Sequence, residues 1–156
     1  MKARERALEL FREALLAENR RDLETAKRKL DDIMDITREA EPELYFEACF
    51  RMAEVFIQED NYRGAVKCAI RGIYRAPNGE LRKLGIKRLG DILVILKSEN
   101  RLLELAENME PTLALIKDDE ALHEFTTALV KIARGEKVNI DSLPEEFREV
   151  IETITG

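Results

Sequence analysis

One pair of residues has the types and spacing of a metal site. The only histidine, His123, follows Glu120 by three residues, which places both side chains on one face of a helix. In diiron helical bundles this Glu-x-x-His spacing supplies two ligands, but the site needs a second copy of the motif. A chain with one histidine cannot provide that copy. We therefore interpret His123 as an exposed polar residue and expect no metal site.

The two cysteines, Cys49 and Cys68, are the other residues with chemical potential. They lack the spacing of metal ligands and are too few for a secreted disulfide scaffold, so we expect small buried hydrophobic residues. A disulfide between them is the alternative, because proteins of thermophiles tolerate disulfides inside the cell. The sequence contains no glycine-rich phosphate loop and no nucleophile with a histidine partner in a credible context. It predicts a protein that is not an enzyme and has no cofactor.

The composition predicts an all-α protein. Of the 156 residues, 45% are hydrophobic and 37% are charged, which excludes disorder and is weakly typical of thermophiles. Aromatic residues make up only 6%, tryptophan is absent, and glycine and proline are few, all of which favour helix over sheet. The N-terminus is charged at a helical rhythm, and no apolar stretch approaches the roughly 20 residues of a membrane helix. We expect a cytoplasmic protein without a membrane segment.

Proline marks the ends of the predicted helices. The four prolines, Pro42, Pro77, Pro111 and Pro144, are spaced by 35, 34 and 33 residues, and proline is disfavoured inside a helix. Apolar periodicity predicts helices near residues 2–18, 22–38, 42–58, 62–76, 80–97 and 118–134. The sixth predicted helix in chain order lies between residues 97 and 118, and Pro111 should split it. The last helix should be capped by Asp141 or Ser142, with Pro144 in its first turn.

Residues 46–79 resemble a tetratricopeptide repeat, whose helix pair carries large and small apolar residues at fixed offsets and ends in proline. The matching residues are Met52, Ala53, Phe56, Tyr62, Ala65, Ala69 and Pro77. The pattern departs from the family at Cys49, where a large aromatic residue is preferred, and at Gly72, where alanine is preferred. Residues 7–40 resemble the repeat more weakly, and residues 80–113 keep only its period.

The resemblance implies a right-handed stack of about seven or eight helices arranged as antiparallel pairs, which is a tetratricopeptide-like α-solenoid. We expect one domain over residues 1–156, with the segment 118–156 forming C-terminal capping helices. The family binds peptides or proteins on the concave surface lined by the first helix of each pair. The residues that would face this groove are Leu8, Phe11, Leu15, Glu47, Phe50, Glu54 and Ile57. The alternative is that Phe11, Phe50 and Ile57 pack against a neighbouring helix or a fold partner.

Charge is strongly segregated along the chain, although the total is -6. Residues 61–90 contain eight basic residues and one acidic residue, whereas residues 98–156 contain 14 acidic and 6 basic residues. The basic residues form a predicted basic face, made of Arg63, Lys67, Arg71, Arg75, Arg82, Lys83, Lys87 and Arg88. This face could bind an acidic peptide or nucleic-acid phosphate, or it could pair with the acidic C-terminal half within one molecule or across a homodimer.

The leading hypothesis is a non-catalytic protein-protein interaction module or adaptor that uses the groove, the basic face, or both. A second hypothesis is binding of the phosphate backbone of nucleic acid through residues 63–88, which the acidic total and the lack of interleaved aromatic residues disfavour. A third hypothesis is a self-assembling homo-oligomeric scaffold.

Overall fold

A computed structural model describes residues 2–156 as a helical chain. No β-strand occurs in that range, so the all-α prediction is confirmed. The split of the sixth predicted helix is also confirmed, because a 3-10 helix, Leu102–Ala106, is followed by a short helix with Pro111 in its first turn. The eight α-helices are α1 (Ala3–Asn19), α2 (Leu23–Thr37), α3 (Pro42–Gln58), α4 (Tyr62–Tyr74), α5 (Gly79–Ser98), α6 (Glu110–Leu115), α7 (Glu120–Ala133) and α8 (Glu145–Thr155).

Three helices end in connections of the same geometry. After α1, α3 and α5, the residues Arg21, Asp60 and Asn100 have φ angles of 62°, 62° and 59°. In each case the next N–H donates a hydrogen bond to the carbonyl five residues earlier, at 2.9, 2.8 and 2.8 Å. This left-handed closure satisfies carbonyl groups that the end of a helix leaves without partners. The three closures lie 39 and 40 residues apart, which is longer than the proline spacing of 33 to 35 residues.

Side-chain caps fix the starts of four helices. A carboxylate or amide oxygen of Asp22, Asn61, Asn78 and Asp119 accepts a hydrogen bond from the N–H three residues later, at 3.2, 2.9, 2.9 and 3.2 Å. Such caps satisfy N–H groups that the first turn of a helix leaves without intrahelical partners. The turn before each of these helices is therefore fixed by a hydrogen bond between residues that are close in the sequence.

The predicted cap of the last helix is wrong. Pro144 immediately precedes α8, and no side-chain hydrogen bond caps the helix. The hydroxyl of Ser142 donates instead to the carboxylate of Glu124 on α7, and the N–H of Asp141 donates to the side chain of Asn139. Both candidate caps are thus engaged in the preceding loop, and the fixed φ of Pro144 prepares the chain for the helix.

The chain clusters into two compact units, residues 1–82 and 83–156. In the first unit α1 packs against α2, α2 against α3, and α3 against α4, as expected for helical hairpins. Its core includes the buried side chains of Leu10, Leu30, Ile33, Phe46, Ile70 and Ile73. Cys49 and Cys68 are also buried and are not joined in a disulfide, which confirms their interpretation as small core residues.

Two contacts show that α1 and α3 run side by side in the same direction. At their starts, Arg4 donates to Glu41 at 3.1 Å, and at their ends, Gln58 donates to Glu18 at 3.1 Å. The α2 helix lies against both α1 and α3. The first unit therefore has two layers, one formed by α1 and α3 and the other by α2 and α4.

The second unit is built around α7, which packs against the 3-10 helix, α6 and α8. The rings of Phe125 on α7 and Phe147 on α8 have centroids 4.6 Å apart. On α5, Gly90 allows a close approach to α8, because a Cβ atom there would lie 3.2 Å from a methyl group of Val150. These contacts hold α5, α7 and α8 in one apolar core.

Candidate functional site

The outward side of α1 in the first unit carries an apolar stripe. Leu8, Phe11 and Leu15 are spaced by three and four residues and so share one side of the helix. Leu8 is 49% exposed, Leu15 is 45% exposed, and Phe11 is half-buried. Exposed apolar side chains grouped on one helix face are typical of surfaces that bind another molecule.

Acidic residues of α3 lie beside this stripe. The contacts between α1 and α3 join residues 37 and 40 positions apart, from Arg4 to Glu41 and from Glu18 to Gln58. This register places Glu47 at the level of Leu8 and Glu54 at the level of Leu15. We call these four residues together with Phe11 the α1/α3 face. It combines an apolar stripe on one helix with carboxylates on its neighbour.

The other two predicted groove residues are less accessible. Phe50 is only 4% exposed, and it packs against α4, where a Cβ atom on Gly72 would lie 2.8 Å from its ring. Phe50 therefore packs against a neighbouring helix, which was the alternative to its predicted position in the groove. This contact also explains why glycine replaces the alanine expected at position 72. Ile57 is half-buried.

The predicted basic face is divided between the two units, and five of its residues belong to the first. Arg75 forms an ion pair with Glu39 at 3.1 Å and lies over the ring of Tyr45, 5.5 Å from its centroid. Arg82 donates to the carbonyl of Ile73 at 3.3 Å. Arg63 is half-buried in the first turn of α4. These three arginines have structural contacts, whereas the remaining two residues, Lys67 and Arg71, line a cleft.

The other three basic residues, Lys83, Lys87 and Arg88, belong to the second unit. Lys83 lies 3.7 Å from a carboxylate oxygen of Glu146, so one residue of the predicted basic face pairs with the acidic C-terminal half. Lys83 and Lys87 also line a cleft of about 310 Å³ between α5 and α8. Arg88 is half-buried.

The cleft beside Lys67 and Arg71 lies between α2 and α4 and has a volume of about 500 Å³. We call it the α2/α4 cleft. Its apolar lining comes from three helices and consists of Met34, Met52, Phe56 and Cys68. Charged residues of α2 line it opposite Lys67 and Arg71, namely Glu24, Lys27, Arg28 and Asp31. None of the sites predicted from the sequence includes these α2 residues.

The charges of the cleft are unevenly paired. Lys27 contacts the carboxylates of Glu24 and Glu59, each at 3.0 Å, and these hydrogen bonds raise the pKa of Lys27. Lys67 and Arg71 form no ion pair with any carboxylate of residues 2–156. Lys67 and Arg71 therefore leave positive charge available on the α4 side of the cleft.

Asp31 on the opposite wall of the cleft is exposed to solvent, and its pKa is nevertheless raised. Burial and the nearby carboxylate of Asp35 raise the pKa of Asp31, and the positive charge of Arg71 only partly offsets this. Asp31 forms no ion pair with the described basic residues. Its carboxylate faces the same cleft as Lys67 and Arg71.

The residues singled out for chemistry are not assembled into a reactive site. His123 on α7 is half-buried and not exposed as expected, and Glu120 begins that helix. Within residues 2–156, no group of three or more histidine, cysteine or acidic side chains could hold a metal ion. Burial raises the pKa of the Cys49 thiol to about 12 and that of Cys68 to about 11, which keeps both thiols protonated and unreactive at neutral pH.

Comparison with known proteins gives no match: no protein-family model, no curated protein and no solved structure resembles the chain closely enough to be matched. None of the helices in residues 2–156 combines the length and the apolar character needed to cross a membrane.

Proposed function

We propose that the protein is a non-catalytic protein-interaction module that binds a partner helix on its α1/α3 face. The observation that carries the proposal is the pair of exposed leucines, Leu8 and Leu15, placed level with the carboxylates of Glu47 and Glu54. Burying one such leucine against a partner contributes about 1.5 to 3 kcal/mol. A helix presents apolar residues at matching intervals of three and four, so it can cover the stripe along its length.

Charge complementarity indicates which helix would bind. The α3 side of the face carries the carboxylates of Glu47 and Glu54, and Arg51 on the same helix donates to Glu47 at 3.3 Å. A partner with lysine or arginine beside its apolar residues would pair with these carboxylates, whereas an acidic partner would be repelled. We therefore propose a basic amphipathic helix as the partner.

The architecture that we propose is a stack of helical hairpins related to the tetratricopeptide repeats. The parallel course of α1 and α3 and the identical closures after α1, α3 and α5 support a repeated unit. The helices that open successive pairs begin at residues 3, 42 and 79, so the pairs are 39 and 37 residues long. These pairs are longer than the proline rhythm suggested. The right-handed course of the stack, the single domain over residues 1–156 and the capping role of residues 118–156 stay predictions.

The experiment compares two adjacent leucines. Leu15 lies on the stripe, whereas Leu16 is 50% exposed but lies one position further around the helix. The probe is a synthetic basic helix with leucines at intervals of three and four residues, and a second probe replaces its basic residues with glutamate. We expect Leu15→Gln to weaken binding of the basic probe by about tenfold or more, and Leu16→Gln to leave it within about twofold. Binding is measured by fluorescence anisotropy.

Two results would contradict the proposal. Equal losses for Leu15→Gln and Leu16→Gln would show that the stripe is not the site. Equal affinity for the basic and the acidic probe would show that Glu47 and Glu54 do not select a basic partner. Sedimentation of the protein without a probe tests the self-assembly hypothesis, because a scaffold held together through this face would dissociate on Leu15→Gln.

A further inference from the structure

We propose that the α2/α4 cleft is a second binding site, which takes an acidic peptide segment carrying one apolar anchor residue. The cleft belongs to the other layer of the first unit from the α1/α3 face, so this inference does not depend on the function proposed above. Its volume of about 500 Å³ lies within the range of sites that hold small ligands or single side chains of a partner.

The floor of the cleft is suited to an apolar side chain. Met34 and Met52 line it together with Phe56 and Cys68. Both methionines are buried, at 5% and 4% exposure, so their atoms form a wall and do not project into solvent. Methionine is flexible and polarizable and adapts to the shape of an apolar partner. A leucine or a similar residue of a peptide would therefore find an apolar surface below the charged rim.

The α4 rim supplies the positive charge. Lys67 and Arg71 are four residues apart, so their side chains follow each other along one side of the helix. Neither is in an ion pair with a carboxylate of the described chain, in contrast to Arg75 one turn further on, which contacts Glu39. Binding a carboxylate here would not require breaking an existing ion pair. Arginine in particular can hold a carboxylate with two parallel hydrogen bonds.

The α2 rim limits what can bind. Lys27 is already neutralised by Glu24 and Glu59, and Asp31 projects negative charge toward the same cleft as Arg71. Arg28 also lines the cleft, and its side chain donates to the hydroxyl of Thr25 at 3.2 Å. An acidic ligand must therefore keep its carboxylates away from Asp31. Removing the charge of Asp31 should strengthen the binding of any anionic ligand.

The same features disfavour nucleic acid as the ligand. The aromatic ring in the cleft, Phe56, has the ammonium group of Lys27 above it at 5.5 Å from the ring centroid, so this face is not open for base stacking. The three basic residues of the lining that are in no ion pair within residues 2–156, Arg28, Lys67 and Arg71, would contact few phosphates, which gives weak binding. An acidic peptide with an apolar anchor uses both the floor and the rim.

The test measures the affinity of the whole chain for one short synthetic peptide in which glutamates flank a single leucine. Two variants of the peptide replace its glutamates with glutamine or its leucine with glycine. We expect both replacements to weaken binding by about tenfold, because each removes one of the two features that the cleft recognises. We also expect the affinity to fall steeply as the salt concentration rises.

Protein variants with matched controls locate the site. Arg71→Glu should abolish binding, whereas Lys87→Glu, which makes the same change of charge in the second unit, should leave the affinity within about twofold. Asp31→Asn should increase the affinity by about threefold or more, and Asp32→Asn, on the same helix but outside the cleft lining, should change it less. Circular dichroism of each variant establishes that it is folded.

Several outcomes would overturn the inference. Equal effects of Arg71→Glu and Lys87→Glu would mean that only total charge matters. Tight binding of the glutamine peptide would remove the role of the basic rim. If single-stranded DNA binds more tightly than the acidic peptide and is lost on Arg71→Glu, the ligand is nucleic acid. If Arg71→Glu instead dissociates a homodimer seen by sedimentation, the cleft is occupied by a second copy of the chain.

Discussion

The α1/α3 face and the α2/α4 cleft lie in the two layers of the same four-helix unit, and they arrange the same kinds of residue in opposite ways. On the α1/α3 face the apolar residues, Leu8 and Leu15, project outward, and the carboxylates stand on the neighbouring helix. In the α2/α4 cleft the apolar residues are sunk at the floor, and the charged residues form the rim. The first arrangement suits a broad helical partner, and the second suits a narrow segment with one anchor.

This difference follows from the packing order. The α2 helix lies against both α1 and α3. The inward-facing residues of α3, including Met52, therefore belong to the core between the α1–α2 hairpin and the α3–α4 hairpin. Between α2 and α4 these α3 residues form the floor of an open cleft. On the other layer, α1 and α3 approach each other closely enough for two side-chain contacts at 3.1 Å. The α1/α3 layer is therefore closed and forms a continuous surface, whereas the α2/α4 layer is open and forms a cleft.

Gly72 offers the strongest way to break both sites together. A Cβ atom at this position would lie 2.8 Å from the ring of Phe50 and 3.2 Å from the Cβ of Cys49, so Gly72→Val would push α4 away from α3. We expect the free energy of unfolding to fall by about 2 kcal/mol, which lowers Tm by roughly 4 to 8 °C. Thermal unfolding followed by circular dichroism measures this.

The control for Gly72 is Gly79, which has no atom within 4 Å of the position where a Cβ atom would lie. Gly79→Val should change the free energy of unfolding by less than about 0.5 kcal/mol. Equal destabilisation by the two substitutions would show that the contact between α3 and α4 is not what Gly72 provides.

The N-terminal cap of α4 belongs to a helix that lines the α2/α4 cleft but contributes no residue to the α1/α3 face. Asn61 accepts a hydrogen bond from the N–H of Gly64 at 2.9 Å and so fixes the start of the helix that carries Lys67 and Arg71. Asn61→Ala should lower the free energy of unfolding by about 1 kcal/mol. Asn61→Ser should lower it much less, because serine also caps helices well. Urea denaturation measures both values. If Asn61→Ser is as destabilising as Asn61→Ala, the cap is not the stabilising interaction.

Asp31 gives a smaller effect, with a sign that depends on pH. Because its folded pKa is raised above its ordinary value of 3.8, chiefly by burial and then by Asp35, folding disfavours its charged form. The stability cost is absent below the unfolded pKa and develops as the pH rises through the folded pKa. Asp31→Asn should therefore raise Tm at pH 7 and leave it nearly unchanged at pH 3. A lower Tm at pH 7 would show that the carboxylate is stabilising through Arg71.

The hairpins of the first unit could be predicted from the sequence. The periodic apolar residues of α3 and α4 place Met52, Ala53, Ala65 and Ala69 in the core, and the structure buries all four. The position of Phe50 could not be predicted, because its burial depends on the missing side chain of Gly72 on another helix. Helical periodicity identifies an apolar position but not which neighbour covers it.

The cleft could not be predicted for a related reason. Its two rims come from α2 and α4, which are separated in sequence by all of α3. A count of charges along the chain grouped Arg71 with Arg75 and Lys83, but the contacts divide them: Arg75 pairs with Glu39 and Lys83 with Glu146. Linear charge density therefore identifies a basic helix but does not show which of its basic residues lack an ion pair.

The central claim is that one unit carries two independent binding sites, and a single set of affinity measurements tests it most directly. The affinities of the basic helical probe and of the acidic peptide are measured for the wild type, Leu15→Gln, Arg71→Glu and the double variant. We predict that Leu15→Gln weakens only the basic probe, that Arg71→Glu weakens only the acidic peptide, and that the double variant shows both losses additively. If either substitution weakens both probes equally in folded protein, the two sites are not separate and the account is contradicted.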